Sequence, residues 1–203
     1  MKKFLLGFPI FYTFFQNLVG GEKSRKCFTE NYIKAEKGFR ILDIGCGCAD
    51  MLKYLPEVEY VGFDANEKYI NNAIKKFGGK GQFFCEFIKK DSLIQLDKEN
   101  YFDIVLATGV LHHLNDQEAL ELFELAKNSL KTGGRLVTID GCYTENQSII
   151  EKFILSQDRG KFVRTEENYI KLAKKIFNVV NYETRKDLIN IPYTHIIMEC
   201  IKT

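Results

Sequence analysis

From residue 39 onward the chain alternates short apolar runs with longer stretches in which apolar residues recur every three or four positions. The short runs, rich in Val, Ile, Leu and Phe, predict strands over 39–44, 60–63, 82–87, 102–107, 135–140, 179–184 and 194–201. The longer periods predict helices over 50–55, 67–77, 116–130, 145–155 and 166–177. Asn115 or Asp116 is placed to cap the helix over 116–130, and Gly133 with Gly134 to stop it. Strand–helix alternation predicts an α/β fold, a parallel sheet with helices on both faces. The last two strands are the exception. Only a short connection around 188–193 joins them, whereas a parallel return needs a crossover of about a dozen residues or more. The sheet is therefore expected to end in an antiparallel hairpin.

No repeat, low-complexity stretch or Pro/Gly-rich linker interrupts the pattern, and 203 residues suit one domain. We divide it into an N-terminal helical cap over 1–38 and a core over 39–203. Met1, Lys2 and Lys3 followed by apolar residues 4–15 have the outline of a targeting segment. The apolar part is too short to span a bilayer, contains Pro9 and leads into no small-residue cleavage site. An amphipathic cap is the expected reading, without stable membrane insertion, and a membrane-surface role is the alternative.

Composition narrows the partners. The formal net charge is +2 and no long basic run occurs, so neither nucleic acid nor a polyanionic surface is an expected partner. The six cysteines, Cys27, Cys46, Cys48, Cys85, Cys142 and Cys200, form no C-x-x-C pair. The spacing of Cys46 and Cys48 does not suit a zinc knuckle, so no metal is expected. Reduced thiols and a cytoplasmic compartment follow.

The chemistry concentrates at Arg40-Ile-Leu-Asp-Ile-Gly-Cys-Gly-Cys-Ala-Asp50, where an apolar strand runs into Gly45-x-Gly47-x-Ala49 and a helix. Glycines there permit a tight turn and close approach of a ligand to the backbone. Asp64 ends the next strand about 20 residues on, where a carboxylate accepts both hydroxyls of a ribose. A dinucleotide site wants a third glycine where this chain has Asp50, and a carboxylate there opposes a pyrophosphate on the helix N-terminus. S-adenosylmethionine (SAM) carries no phosphate, and its ammonium suits Asp43, just before the glycines. As a bland alternative, the loop is a strand–helix turn that sterics require, with Asp50 a first-turn helix acid.

Residues 40–140 resemble the class I SAM-dependent methyltransferases. The likeness rests on Ile41-Leu-Asp-Ile-Gly-Cys-Gly47, Val61-Gly-Phe-Asp64, Lys90-Asp91-Ser92, Phe102-Asp-Ile-Val105, Leu111-His-His-Leu114 and Leu130-Lys-Thr-Gly-Gly-Arg-Leu136. The resemblance implies a seven-stranded Rossmann-like sheet of order 3-2-1-4-5-7-6 with strand 7 antiparallel, in agreement with the terminal hairpin. It implies that Asp43, Gly45, Cys46 and Gly47 hold the methionine portion and that Asp64 binds the ribose. Asp91, with Ser92 adjacent, would meet the adenine, and Thr108 would close the cofactor set. Ala49 departs from the family's common third glycine, which its small size tolerates.

The acceptor is expected at the carboxyl ends of strands 4 and 5 and the terminal hairpin. His112 and His113 are candidate bases, since imidazole titrates near working pH, or else structural hydrogen-bonding groups. Asp140 and Tyr143 either contact the acceptor or begin a loop. Arg159 and Arg164 either clamp a carboxylate or phosphate of an anionic acceptor, or are surface arginines, one pairing with Asp158. Tyr193 and His195 either wall the pocket or shape the hairpin. Residues 8–21, with Tyr12 and Gln16, either cover the cofactor cleft or pack against the core. The expected activity is methyl transfer to an O or N atom of a small molecule by a monomer or homodimer. An RNA or protein methyltransferase and a non-catalytic SAM-binding module are the rivals, and Asp50 disfavours an NAD-dependent oxidoreductase.

Overall fold

The computed structural model describes residues 21–96, 98–157 and 160–203. The expected targeting or cap segment over 1–20, with Tyr12 and Gln16, lies outside the described residues, as does Arg159. The described chain opens with α1 (Gly21–Phe28), which runs into a wider π turn over Thr29–Ile33. Then follow β1 (Arg40–Ile44), a 3-10 turn (Asp50–Lys53), β2 (Glu59–Phe63), α2 (Glu67–Phe77), β3 (Gln82–Phe84) and α3 (Lys90–Gln95). The second half comprises β4 (Phe102–Thr108), a 3-10 turn (Leu111–His113), α4 (Asp116–Ser129) and β5 (Leu130–Tyr143). It ends with α5 (Ile149–Ser156), β6 (Arg164–Thr165), α6 (Glu166–Ala173), β7 (Val179–Arg185) and β8 (His195–Ile201).

The sheet runs β3-β2-β1-β4-β5-β8-β7, and the two-residue β6 pairs with β5 off this path. The first five strands are parallel, and β8 is antiparallel to both β5 and β7. Setting β6 aside, this is the expected order 3-2-1-4-5-7-6 with its closing hairpin.

Period-two alternation divides the strands between two cores. Leu42, Ile44, Val61, Phe63, Val105 and Met198 face α4 and α6 through Phe123, Ala126, Tyr169 and Leu172. Ile41, Tyr60, Ile104, Leu106 and Ile197 face the other way, toward Phe28, Ile33, Leu52 and Ile70 of the α1 and α2 layer. Burial on both faces explains why the central strands read as continuous apolar runs. The edge strand β7 has one apolar side only and carries Asn181, Glu183 and Arg185, which blunt it against pairing with another sheet.

Several boundaries differ from the sequence reading for local reasons. Asn115 does cap α4, accepting from the Glu118 N–H while Glu118 reaches back to the Asn115 N–H. Gly133 and Gly134 do not end that helix. It stops at Ser129, and Leu130 already pairs with Phe102. The glycines instead bend β5: Gly133 has φ 79°, and a β-carbon on Gly134 would press on the carbonyls of Lys131, Asp103 and Phe102. The helix expected from 145 begins at Ile149, because Ser148 caps it and Gln147 donates to the Cys142 carbonyl. The stretch expected to be helical over 50–55 is a single 3-10 turn. β3 ends at Phe84, short of 87, and α6 ends at Ala173, short of 177. Among the described residues no helix is long and apolar enough to cross a membrane, and no group of three His, Cys, Asp or Glu residues is placed to hold a metal ion.

Candidate active site

The turn after β1 is pinned to the end of β2. The N–H groups of Gly45 and Cys46 both donate to the Phe63 carbonyl, at 2.8 and 3.0 Å. Gly45 has φ 74° and Gly47 φ 55°, both in the left-handed region that glycine enters without steric cost. A β-carbon on Gly47 would meet nothing within 4 Å, so the turn leaves an open face there. Ala49 also sits in this region, with φ 55° and ψ 29°, and is buried. The Cys46 thiol points inward against Gly62, and burial holds it far above the ordinary thiol range. Any contact of Cys46 with a ligand in the turn is thereby left to its backbone.

Two carboxylates flank the turn. Asp43 is buried, and its Oδ2 accepts from the Tyr60 hydroxyl at 2.5 Å. Its Oδ1 is buried without a hydrogen-bond partner. Burial raises its pKa to about 7, and the Tyr60 hydrogen bond resists that rise. Asp64, at the tip of β2, accepts from the Gly47 N–H at 3.0 Å and the Asn66 N–H at 2.8 Å. An open groove of about 530 Å³ beside it is lined by Asp64, Ala65, Asn66, Glu67 and Lys68. Further along, Asp91 is exposed in the first turn of α3, whereas Ser92 is buried and its hydroxyl accepts from the Lys89 N–H at 3.3 Å.

These features suit SAM on three counts. The turn has an open glycine face, the carboxylate of Asp64 lies at the neighbouring strand tip, where a ribose would meet it, and Asp43 Oδ1 is a buried acceptor that an ammonium would satisfy.

The carboxyl ends of β4 and β5 carry a second cluster. Thr108 closes β4 opposite Ile139, and the chain turns through Gly109 and Val110 into the 3-10 turn with His112. His112 is buried. Its Nδ1 lies 2.8 Å from Oδ1 of Asp140, and its backbone N–H donates to the same oxygen at 3.2 Å. Asp140 is buried on β5, and its other oxygen, Oδ2, has no hydrogen-bond partner. Burial raises the Asp140 pKa, while the contacts with His112 pull it back. The His113 ring lies 4.1 Å from the His112 ring but is exposed to solvent.

The terminal hairpin meets this cluster at Gly141. His195 pairs with Gly141 in the sheet, and the Tyr193 ring packs 4.7 Å from the His195 ring. A β-carbon on Gly141 would collide with the Tyr193 hydroxyl and crowd Leu155 of α5. The fold thus gathers His112, Asp140, Tyr193 and His195 at one end of the sheet. Tyr143 lies further along β5, where it pairs with Thr165.

Arg164 corrects one expectation. Its guanidinium is not presented to an acceptor. It is buried and bonded to the carbonyls of Leu111, Leu114 and Phe162 and to the carboxylate of Asp116. With those donors committed, Arg164 cannot clamp an anion. Sequence reasoning also passed over Tyr60, Val110, Gly141 and Gly160. The strand register offered a signal for Tyr60 alone, since Ile41 pairs with Tyr60 and Asp43 with Gly62, putting Tyr60 and Asp43 on one face.

Comparison with known proteins agrees with this geometry. Residues 42–136 match the family described as a methyltransferase domain. The phosphoethanolamine N-methyltransferase of Plasmodium falciparum is 26% identical over 137 residues, which cover 66% of this chain and 50% of that protein. A Haemonchus contortus phosphoethanolamine N-methyltransferase 2, solved with phosphomonomethylethanolamine and S-adenosylhomocysteine, superposes with a TM-score of 0.70 at 17% identity. That superposition covers 91% of this chain and 53% of the other. A TehB-like SAM-dependent methyltransferase from Corynebacterium glutamicum gives a TM-score of 0.61 at 16% identity, covering 89% of this chain and 88% of its own. The chain therefore spans about half the length of the curated relative it matches. Residues 42–136 are thus similar to a methyltransferase domain, and the strand order and overall fold are shared with solved SAM-dependent methyltransferases.

Proposed function

We propose that this chain transfers a methyl group from SAM to an O or N atom of a small acceptor, with His112 as general base. The observation that carries the proposal is the buried contact between His112 Nδ1 and Asp140 Oδ1, at 2.8 Å. A proton on Nδ1, shared with Asp140, makes Nε2 the basic nitrogen and holds the ring in one orientation. His113, exposed beside it, is the weaker candidate.

The cofactor would lie along the turn after β1. Asp43 would face its ammonium, the backbone of Gly45, Cys46 and Gly47 its methionine portion, Asp64 its ribose, and Asp91 and Ser92 its adenine. Thr108 would border its far side. When bound, it supplies a methyl carbon made electrophilic by an adjacent sulfonium.

The work left to the protein is alignment and proton removal. Holding an acceptor in line supplies on the order of 7–11 kcal/mol of barrier reduction. A positioned base adds roughly 100- to 10,000-fold where the acceptor must lose a proton. Asp140 stabilises the imidazolium formed as Nε2 takes that proton. Tyr193, His195 and Tyr143 would wall the acceptor, and the unpartnered Oδ2 of Asp140 favours one that brings an N–H or O–H donor. The Plasmodium and Haemonchus relatives are named for an acceptor that joins an amine to a phosphate, which supports an anionic amine here too. Arg159 is the arginine left to meet its anionic end. A cytoplasmic monomer or homodimer completes the reading.

The test is methyl transfer from isotopically labelled SAM to a panel of small amines and alcohols, each with and without a phosphate. The proposal expects label in at least one of them, and at least about a 100-fold loss in His112→Ala with S-adenosylhomocysteine affinity retained. Unchanged turnover in that variant would remove His112 as base. Label found only in RNA or protein would overturn the small-molecule reading.

A further inference from the structure

We infer that Arg164 is a positioning residue that fixes the His112 turn from behind, an inference that rests on the reading of His112 as base. His112 sits in a single 3-10 turn, Leu111–His113, too short to hold a side chain rigidly by its own hydrogen bonds. Arg164 lies some fifty residues later in the two-residue β6, which is paired to Cys142 and Tyr143 just beyond Asp140. The strand that carries the orienting carboxylate therefore also anchors Arg164.

From there the guanidinium spans the turn. Nη1 donates to the Leu111 carbonyl at 2.9 Å and to the Phe162 carbonyl at 3.2 Å. Nη2 donates to the Leu114 carbonyl at 2.6 Å, and Nε to Asp116 Oδ1 at 2.9 Å. The carbonyls on both sides of the two histidines are thus held by one planar group. Lysine cannot reproduce this, because a point charge lacks the fork that bridges several acceptors at fixed angles.

The same group closes the turn from the other side. Phe162, whose carbonyl Arg164 holds, donates its N–H to the His112 carbonyl at 2.9 Å. Gly160, two residues earlier, lies so close that a β-carbon there would overlap the imidazole ring. His112 is therefore fixed by Asp140 at its ring and by a strap at its backbone, and Arg164 ties that strap to the turn. Burying a charged fork without this use of its donors would be strongly unfavourable. Asp116 takes up the charge while its own side chain stays 74% exposed.

The test reads the imidazole itself and needs no acceptor. The chain has three histidines, so nitrogen-15 histidine labelling gives separable ring signals. In the wild type the His112 Nδ1 proton should resonate downfield and exchange slowly. Arg164→Lys should speed its exchange about tenfold or more, while the His113 and His195 rings and S-adenosylhomocysteine affinity stay within about threefold of wild type. Asp116→Asn, at an exposed position, should fold normally and give a smaller change in the same direction; it decides the matter should Arg164→Lys fail to fold. Wild-type exchange in the folded Arg164→Lys protein, or in Asp116→Asn if Arg164→Lys does not fold, overturns the inference. The base assignment fails separately, through normal turnover in His112→Ala.

Discussion

Val110 packs so tightly over Gly45 that a β-carbon on the glycine would lie 2.7 Å from Val110 Cγ2. The two residues belong to different strand ends, one following β1 and the other β4, and Val110 is two residues before His112. The turn read as the donor site and the turn read as the base site are therefore in direct contact. A displacement of one is felt by the other, because packed interiors deform little.

Gly45→Ala should accordingly do two kinds of harm. The left-handed conformation, φ 74°, costs an alanine about 1–2 kcal/mol, and the added carbon must displace Val110. We expect a lower melting temperature and at least about a tenfold loss of S-adenosylhomocysteine affinity, since about 1.4 kcal/mol is a factor of ten. Gly45→Ala combined with Val110→Ala should recover part of the affinity. A double variant no better than Gly45→Ala would show that the contact with Val110 is not the cause.

Asp43 makes the protein pH-sensitive in a definite direction. Its pKa is raised by burial from an ordinary 3.8 to about 7. Between these values the folded state holds a proton that the unfolded state has released. Without a ligand, stability therefore falls as pH rises through this window. Asp43→Asn should flatten that part of a melting-temperature profile. A cationic ligand prefers the ionised carboxylate, so SAM affinity should rise as pH passes upward through about 7. Calorimetry at several pH values checks this; a flat affinity would place the ammonium elsewhere.

Ala49 is a case of opposing terms. It is buried with φ 55°, a conformation costing a non-glycine residue about 1–2 kcal/mol. Ala49→Gly relieves that strain, but gives up a buried methyl worth about 0.8 kcal/mol and adds freedom to the unfolded chain worth about 0.5–1 kcal/mol. Chemical denaturation should find this variant within about 1 kcal/mol of wild type. Ala49→Val adds a β-branched side chain in the same conformation and should cost at least about 2 kcal/mol.

What could be read in advance follows from how local the signal is. β1, β2 and β4 were legible because burial on both faces makes them continuous apolar runs, and the terminal hairpin because its connection is too short for a crossover. Asn115 announced the start of α4 as a capping residue ahead of an apolar period. By contrast, α3 has only Leu93 and Ile94 as apolar residues and shows no helical period. Gly133 and Gly134 looked like a helix stop, but bends inside strands use glycine for the same reason. At the site, Asp43 and Asp64 were evident from their places beside the glycine turn. The partner of His112 was not, because Asp140 lies 28 residues away and meets it only through strand pairing. Arg164 proved neither an anion clamp nor a surface arginine, because most of its partners are main-chain carbonyls, which leave no trace in side-chain spacing.

In the proposed function, the first strand–turn unit grips a phosphate-free nucleoside through Asp64. Isothermal calorimetry of S-adenosylhomocysteine with wild type and Asp64→Ala tests it most directly. We expect measurable binding to the wild type and at least about a 100-fold loss in the variant, in which the ribose hydroxyls lose their carboxylate. Equal affinity in both proteins, or no heat from the wild type while a nicotinamide dinucleotide binds, would contradict it.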